Sequence, residues 1–202
     1  GPLPQGYKTM EKLTRIDLFS LEQYAEKRPD FRARVMEHKK NRRVDIGAHL
    51  SLYFEDRLTI QYQVQEMLRI EKIFEAEGIE EELSAYNPLI PDGRNLKCTA
   101  MLEYADVEVR KARLAELVGL EHKVWARVDG HEKVFAISNE DLERSTDEKT
   151  SAVHFMRFEF TDDMAAELLG GSDLSFGCDH PNYSESIKVP EAVCQALAAD
   201  LT

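Results

Sequence analysis

Three side chains in the back half of the chain carry ring nitrogen or sulfur at strand spacing. In the run from Leu174 to His180, alternation puts Leu174, Phe176, Cys178 and His180 on one face, because side chains at i and i+2 point the same way. His154 shares the face of another run with Met156, Phe158 and Phe160. If the two strands are neighbours with apolar faces inward, His154, Cys178 and His180 converge in one layer. Such an N/S set suits a transition metal, the candidate cofactor, with Asp179 or His49 nearby. The plainer alternative is a pair of hydrogen-bonded core histidines, with Cys178 acting as a small hydrophobe.

Glu66 is the fourth candidate metal ligand. It lies in a helical stretch of unusual polar density, with Gln61, Gln63, Gln65 and Arg69. On a surface it pairs with Arg69 at i, i+3 for about 0.2–0.5 kcal/mol. Buried, it needs a partner and can serve as metal ligand or general base. Arg42, Arg43 and Arg94, with Asn95, form a separate candidate set for binding an anion or a partner. Neither GxxxxGK[ST] nor GxGxxG occurs, and neither does GxSxG or HExxH. Nucleotide binding and the commonest hydrolase patterns therefore lack motif support.

Composition narrows the classes. With 202 residues and 43% hydrophobic content, the chain can bury a substantial core. A net charge of −12 disfavours a generic nucleic-acid or anionic-membrane binder. No apolar run approaches the roughly 20 residues that span a bilayer, and no secretory signal is present. Cys98, Cys178 and Cys194 are odd in number and lack CxxC spacing, which argues against a disulfide framework or a zinc ribbon. Ordinary thiols in a reducing cytoplasm are the expectation. Gly1-Pro2 reads as the remnant of a cleaved tag, so residues 1–9 are expected to be foreign and Met10 the native start.

The elements that must position these residues follow from periodicity. Ser20 with Gln23 forms a capping box, and Phe19 with Tyr24 a hydrophobic staple. That helix is predicted to stop near Arg28, with Pro29 opening a second one. The second helix has a basic side: eight Lys/Arg lie between Lys27 and Arg43. Leu50, Leu52 and Phe54 mark a strand, Glu55-Asp56-Arg57 a polar turn, and Leu58–Glu77 a long helix stopped by Gly78. Further strands are predicted over Leu96–Tyr104, Val153–Phe160, Leu174–His180 and Glu185–Val189. A hairpin joins Val124–Val128 to Lys133–Ile137 through Asp129-Gly130. Helices are predicted over Val107–Val118, after Thr161, and from Pro190 to Leu201.

The result is an α+β chain with a helical N-terminal part packed on a mostly antiparallel, β-rich C-terminal part. Residues 10–85 form a helical lobe with a short strand or hairpin, and residues 96–202 a β-rich lobe with short helices. Between them, residues 86–95 (Tyr86-Asn87-Pro88-Leu89-Ile90-Pro91-Asp92-Gly93-Arg94-Asn95) form a rigid junction, since two prolines fix φ and remove two donors.

Several ordered motifs together resemble a known family. They are Leu13-Thr14-Arg15-Ile16-Asp17-Leu18, Arg28-Pro29-Asp30-Phe31-Arg32, Phe54-Glu55-Asp56-Arg57, Gln63 to Arg69, and Tyr86 to Asn95. Val153-His154-Phe155, Arg157-Phe158 and Asp179-His180-Pro181 extend the match. This pattern resembles a bacterial family of uncharacterised proteins, a domain of unknown function, often encoded beside rubrerythrin-like diiron proteins and cysteine-rich iron–sulfur oxidoreductases. The resemblance implies an accessory protein of a cytoplasmic redox or oxidative-stress system, docking to an iron–sulfur or diiron partner. The alternative is a metal-dependent enzyme or metal-binding protein with a His/Cys/Glu site between the lobes. A weaker third reading is a small-anion binder at Arg42, Arg43 and Arg94.

Overall fold

The computed structural model describes residues 11–201, so the reading of residues 1–9 and Met10 lies outside the described residues. The first helix, α1 (Leu21–Lys39), starts on the expected box: the Ser20 hydroxyl accepts the Gln23 N–H, and the Gln23 side chain accepts the Ser20 N–H. It does not stop at Arg28. Pro29 lies inside one continuous helix. Interior proline costs about 3 kcal/mol, whereas burying Phe31 and Val35 returns about 1.5–3 kcal/mol each. Aromatic packing of Phe31 on Phe19 and Tyr24, at ring separations of 5.6 and 6.0 Å, holds the two sides of the proline together.

The expected Leu58–Glu77 helix is two helices, α2 (Arg57–Ile70) and α3 (Ala76–Tyr86), and Gly78 lies within the second. The break is a Schellman motif in which Lys72, at φ 53°, takes the place usually held by glycine. The Ile73 N–H bonds the Leu68 carbonyl and the Lys72 N–H bonds that of Arg69. Ile73 and Leu68 pack in the same cluster, which supplies the hydrophobic contact of that motif. Arg42 and Arg43 are not on a helix: Arg43 begins an unexpected strand, β1 (Arg43–Ile46). The basic side of α1 thus ends at Lys39, with Lys40 at the C-cap.

The remaining elements are β2 (Leu50–Glu55), β3 (Asn95–Leu102), α4 (Val107–Glu116), β4 (Val124–Val128), β5 (Val134–Phe135), β6 (Ile137–Ser138), β7 (Val153–Glu159), α5 (Asp162–Leu169), β8 (Leu174–His180), β9 (Tyr183–Lys188) and α6 (Glu191–Ala198). Among the described residues they make an α+β fold with two antiparallel sheets, ordered β1-β2-β3-β7-β6 and β5-β4-β8-β9. β1 and β2 come from residues 10–85 yet pair into the sheet of β3 and β7, so the two sides of the 86–95 segment share one sheet and one core.

The sheets face each other across that core, where the Phe54, Phe158 and Phe176 rings pack in tilted and edge-to-face pairs at 5.1–6.3 Å. At one corner β5 runs on into β6. At the other, the Tyr183 hydroxyl donates to the Ile46 carbonyl and accepts the His49 and Leu50 N–H groups, closing β9 against the β1–β2 hairpin. Gly47 is required there: its φ is +68°, and an added Cβ would meet the Tyr183 hydroxyl at 2.8 Å. Helices α1–α3, with their own apolar clusters, partly cover the outer face of the first sheet.

Candidate functional site

The predicted His/Cys layer does not form. β7 belongs to the first sheet and β8 to the second, so the strands carrying His154 and Cys178 are not neighbours. His154 accepts from Asn139 Nδ2 at 2.8 Å through Nδ1, and its Nε2 lies 2.8 Å from the Ser151 carbonyl. Burial, the largest cause, lowers its pKa. His180 Nε2 donates to the Val118 carbonyl at 2.8 Å and its Nδ1 accepts the Asn182 N–H. All four ring nitrogens are thus engaged. Cys178 is buried in the core, which pushes its thiol up to about 11. Asp179 bonds Trp125 and Lys133, and His49 stacks on Tyr104 at 4.1 Å.

Glu66 is far from a ligand set. It lies on α2 and receives Arg28 at 2.8 Å, Tyr24 at 3.1 Å and Tyr62 at 3.1 Å, cross-linking α1 to α2. The Arg28 hydrogen bonds pull its pKa down to about 2. Among the described residues, no three His, Cys, Asp or Glu side chains stand together as metal ligands would.

The predicted anion set also separates. Arg42 is buried against Asp200 and Asp56. Arg43 pairs with Asp45 and lies over the Tyr53 ring. Arg94, the residue before β3, pairs instead with Asp162 at the start of α5. Asn95 is buried and bridges Asp92 to Glu159.

What the fold does assemble is a trough on the outer face of the first sheet. Register makes Tyr53, Thr99 and Phe155 direct cross-strand neighbours, with Glu55, Lys97 and Arg157 as the next row on the same face. Ile60 and Gln63 of α2, with Tyr86 and Leu89, form the roof, and Lys39 and Arg42 stand at one end. The trough holds about 380 Å³. A second hollow of about 430 Å³ continues past Tyr86, Leu89 and Phe155 toward Ile137 and Arg157.

Glu55 is the polar focus. Its Oε2 accepts the Thr59 hydroxyl at 2.6 Å and its Oε1 the Thr99 hydroxyl at 3.2 Å. Burial raises its pKa, opposed by the two threonine hydroxyls and by the nearby charges of Lys39 and Arg42. Lys97, opposite Glu55 in register, turns away: its Nζ bonds the Pro88 carbonyl at 2.9 Å and Asp92 at 3.2 Å. The 86–95 segment is therefore the rim of the trough. Lys12 braces it by donating to the Asn87 and Ile90 carbonyls, and the Asn87 side chain exchanges two hydrogen bonds with the Leu13 backbone.

Behind the trough, Asp56 caps α2 and bonds His38 at 2.6 Å. Arg42 lies between Asp56 and Asp200 and also donates to the Phe54 and Glu55 carbonyls. Glu55 and Asp56, read from sequence as a polar turn, are instead the last residue of β2 and the N-cap of α2. Two signals mark them: Ser51, Tyr53 and Glu55 continue the period-2 alternation of β2, and Asp56-x-x-Thr59 is a reciprocal cap.

The sequence profile "Protein of unknown function (DUF3501)" matches residues 12–201. The chain belongs to the DUF3501 family. A crystal structure at 1.90 Å of a "novel protein of unknown function" from Burkholderia pseudomallei K96243 is 54% identical to this DUF3501 chain. It aligns over 95% of this chain and 100% of its own, with a TM-score of 0.89. No curated protein matches the chain. Among the described residues of this DUF3501 protein, no helix is long and apolar enough to cross a membrane.

Proposed function

We propose that this DUF3501 protein binds a small molecule in the trough between the outer face of the first sheet and the Tyr86–Asp92 rim. One observation carries the reading: a carboxyl group, Glu55, sits on the floor of a largely apolar hollow while the lysine opposite it in register is directed elsewhere. Small-molecule sites are typically such hollows of about 300–1,000 Å³, mainly apolar, with a few convergent polar groups. Thr99→Phe fills the slot from its floor. In a thermal-shift screen of a metabolite library, ligands should stabilise the native chain and lose that effect in Thr99→Phe. Ligands that shift both proteins equally would remove the trough from consideration.

A second reading is a docking role in a cytoplasmic redox system, beside an iron–sulfur or diiron protein. It is favoured by Ile16, Ile70 and Phe74, which are 92%, 66% and 73% exposed. Ile16 and Phe74 border a groove of about 530 Å³ between residues 15–23 and the α2–α3 turn, and Ile70 lies at that turn. Large apolar side chains grouped on a surface mark interaction sites. Pull-down of a rubrerythrin-like or iron–sulfur protein under reducing, low-salt conditions tests it. No capture, or equal capture by a Phe74→Ser variant, would count decisively against this role.

A further inference from the structure

We infer that the trough takes a flat heterocycle presenting two adjacent N–H donors on one edge, the neutral 2-amino lactam edge of a pterin or guanine-type ring. This rests on the trough being a ligand site and adds the chemical class.

The slot has the form of a ring holder. Tyr53 and Phe155 stand on either side of Thr99, one strand away in each direction. Their backbones are therefore about 10 Å apart. A ring stacked between two others needs about 7 Å, since carbon atoms pack best at roughly 3.5–4.0 Å. The Arg43 guanidinium lies 5.2 Å from the Tyr53 ring centre, on the β1 side, and Arg144 lies 4.6 Å from that of Phe155. A planar cation thus lies close to each ring, and the small Thr99 side chain leaves the space between Tyr53 and Phe155 open.

The carboxyl chemistry selects the edge. An ionised carboxylate offers about four acceptor positions. Thr59 and Thr99 occupy one on each oxygen, so each oxygen keeps one for a ligand. Two parallel N–H donors match that pair as a guanidinium fork would. A full positive charge is disfavoured because Lys39 and Arg42 already line the cavity. An anionic head is disfavoured by Glu55 itself. A neutral donor edge meets neither repulsion, and the apolar roof of Ile60, Tyr86 and Leu89 covers the ring body.

Calorimetric titration of the full chain with pterin, with lumazine (the 2-oxo analogue) and with 2-naphthol tests this. Pterin should bind the wild type, lumazine at least tenfold more weakly, and Glu55→Gln should weaken pterin at least tenfold. Equal binding of pterin and lumazine, no binding of pterin, or undiminished pterin affinity in Glu55→Gln would overturn the ligand class. Binding of 2-naphthol that Thr99→Phe abolishes would leave the trough itself standing; ligand shifts insensitive to Thr99→Phe would remove both. If Glu55→Gln does not fold by far-UV circular dichroism, Phe155→Leu decides. Loss of one stacking wall should weaken pterin about tenfold, and an unchanged affinity overturns the inference.

Discussion

Arg42 and Asp200 lie 158 residues apart and meet as a buried fork, Nη2 to Oδ2 at 2.5 Å and Nη1 to Oδ1 at 3.2 Å. Through Arg42, the segment after α6 is tied to the β2–α2 junction that carries Glu55 and Asp56. Removing one member of a buried pair leaves the other charged and unsolvated, at a cost of about 3–5 kcal/mol. Asp200→Ala should lower unfolding free energy by that amount in urea titration. A loss under about 1 kcal/mol would mean that the fork does not hold the two regions together.

The same aspartate sets a pH signature. Burial, the largest cause, pushes Asp200 up from 3.8 to about 6 despite the opposing pull of Arg42. Between those values the folded chain binds more protons at this site than the unfolded chain, so this contribution to stability falls as pH rises from about 4 to about 6. Asp200→Asn does not titrate. The stability of the wild type relative to Asp200→Asn should therefore decline across that window, and a difference rising with pH would reverse the assignment.

Glu66 has the opposite sign. Its folded pKa is drawn down to about 2 from 4.5, chiefly by Arg28. Its stabilisation is present above pH 4.5 and is lost as pH falls toward 2. Glu66→Gln should cost about 2 kcal/mol at neutral pH, the scale of a charged hydrogen bond. The gap to wild type should shrink on acidification, as followed by urea unfolding at several pH values. A constant gap would assign the effect to packing alone.

Gly177 marks a close approach in the second sheet. A Cβ at this position would lie 2.2 Å from the Trp125 ring, whose Nε1 is fixed by Asp179. Gly177→Ala should force the indole aside and lower stability by about 1–3 kcal/mol. Loss of the near-ultraviolet signal of this single tryptophan should accompany it; retention of both signal and stability would show that the ring has room to move.

The period-2 runs of β3, β7 and β8, the turn at Asp129-Gly130 and the α+β class were legible because each is written in local alternation or turn chemistry, whereas the expected second arm Lys133–Ile137 is split between β5 and β6, which lie in different sheets. Long-range packing hid the rest. Pro29 looks like a helix stop until Phe31 and Tyr24 are known to close around it. Lys72 carries no glycine-like signal for the α2–α3 break. Alternation correctly put His154 and Cys178 on core-facing strand sides, but nothing local says that β7 and β8 lie in different sheets. Arg42 reads as one more surface charge because its partner, Asp200, is at the far end of the chain. Glu55 was concealed by its neighbours: three charged residues in a row imply a loop, whereas here consecutive residues end a strand and begin a helix.

The diversion of Lys97 to the Pro88 carbonyl has a practical consequence. Glu55 stays in the folded chain without the counter-ion that its strand neighbour could provide, and a ligand that binds the slot of the folded chain alone would become part of the thermodynamics of folding. A ligand at 100 times its dissociation constant adds about 2.7 kcal/mol to unfolding free energy. The melting temperature is accordingly a label-free gauge of occupancy, and fractions of a cell extract can be ranked by it before any molecule in them has been identified.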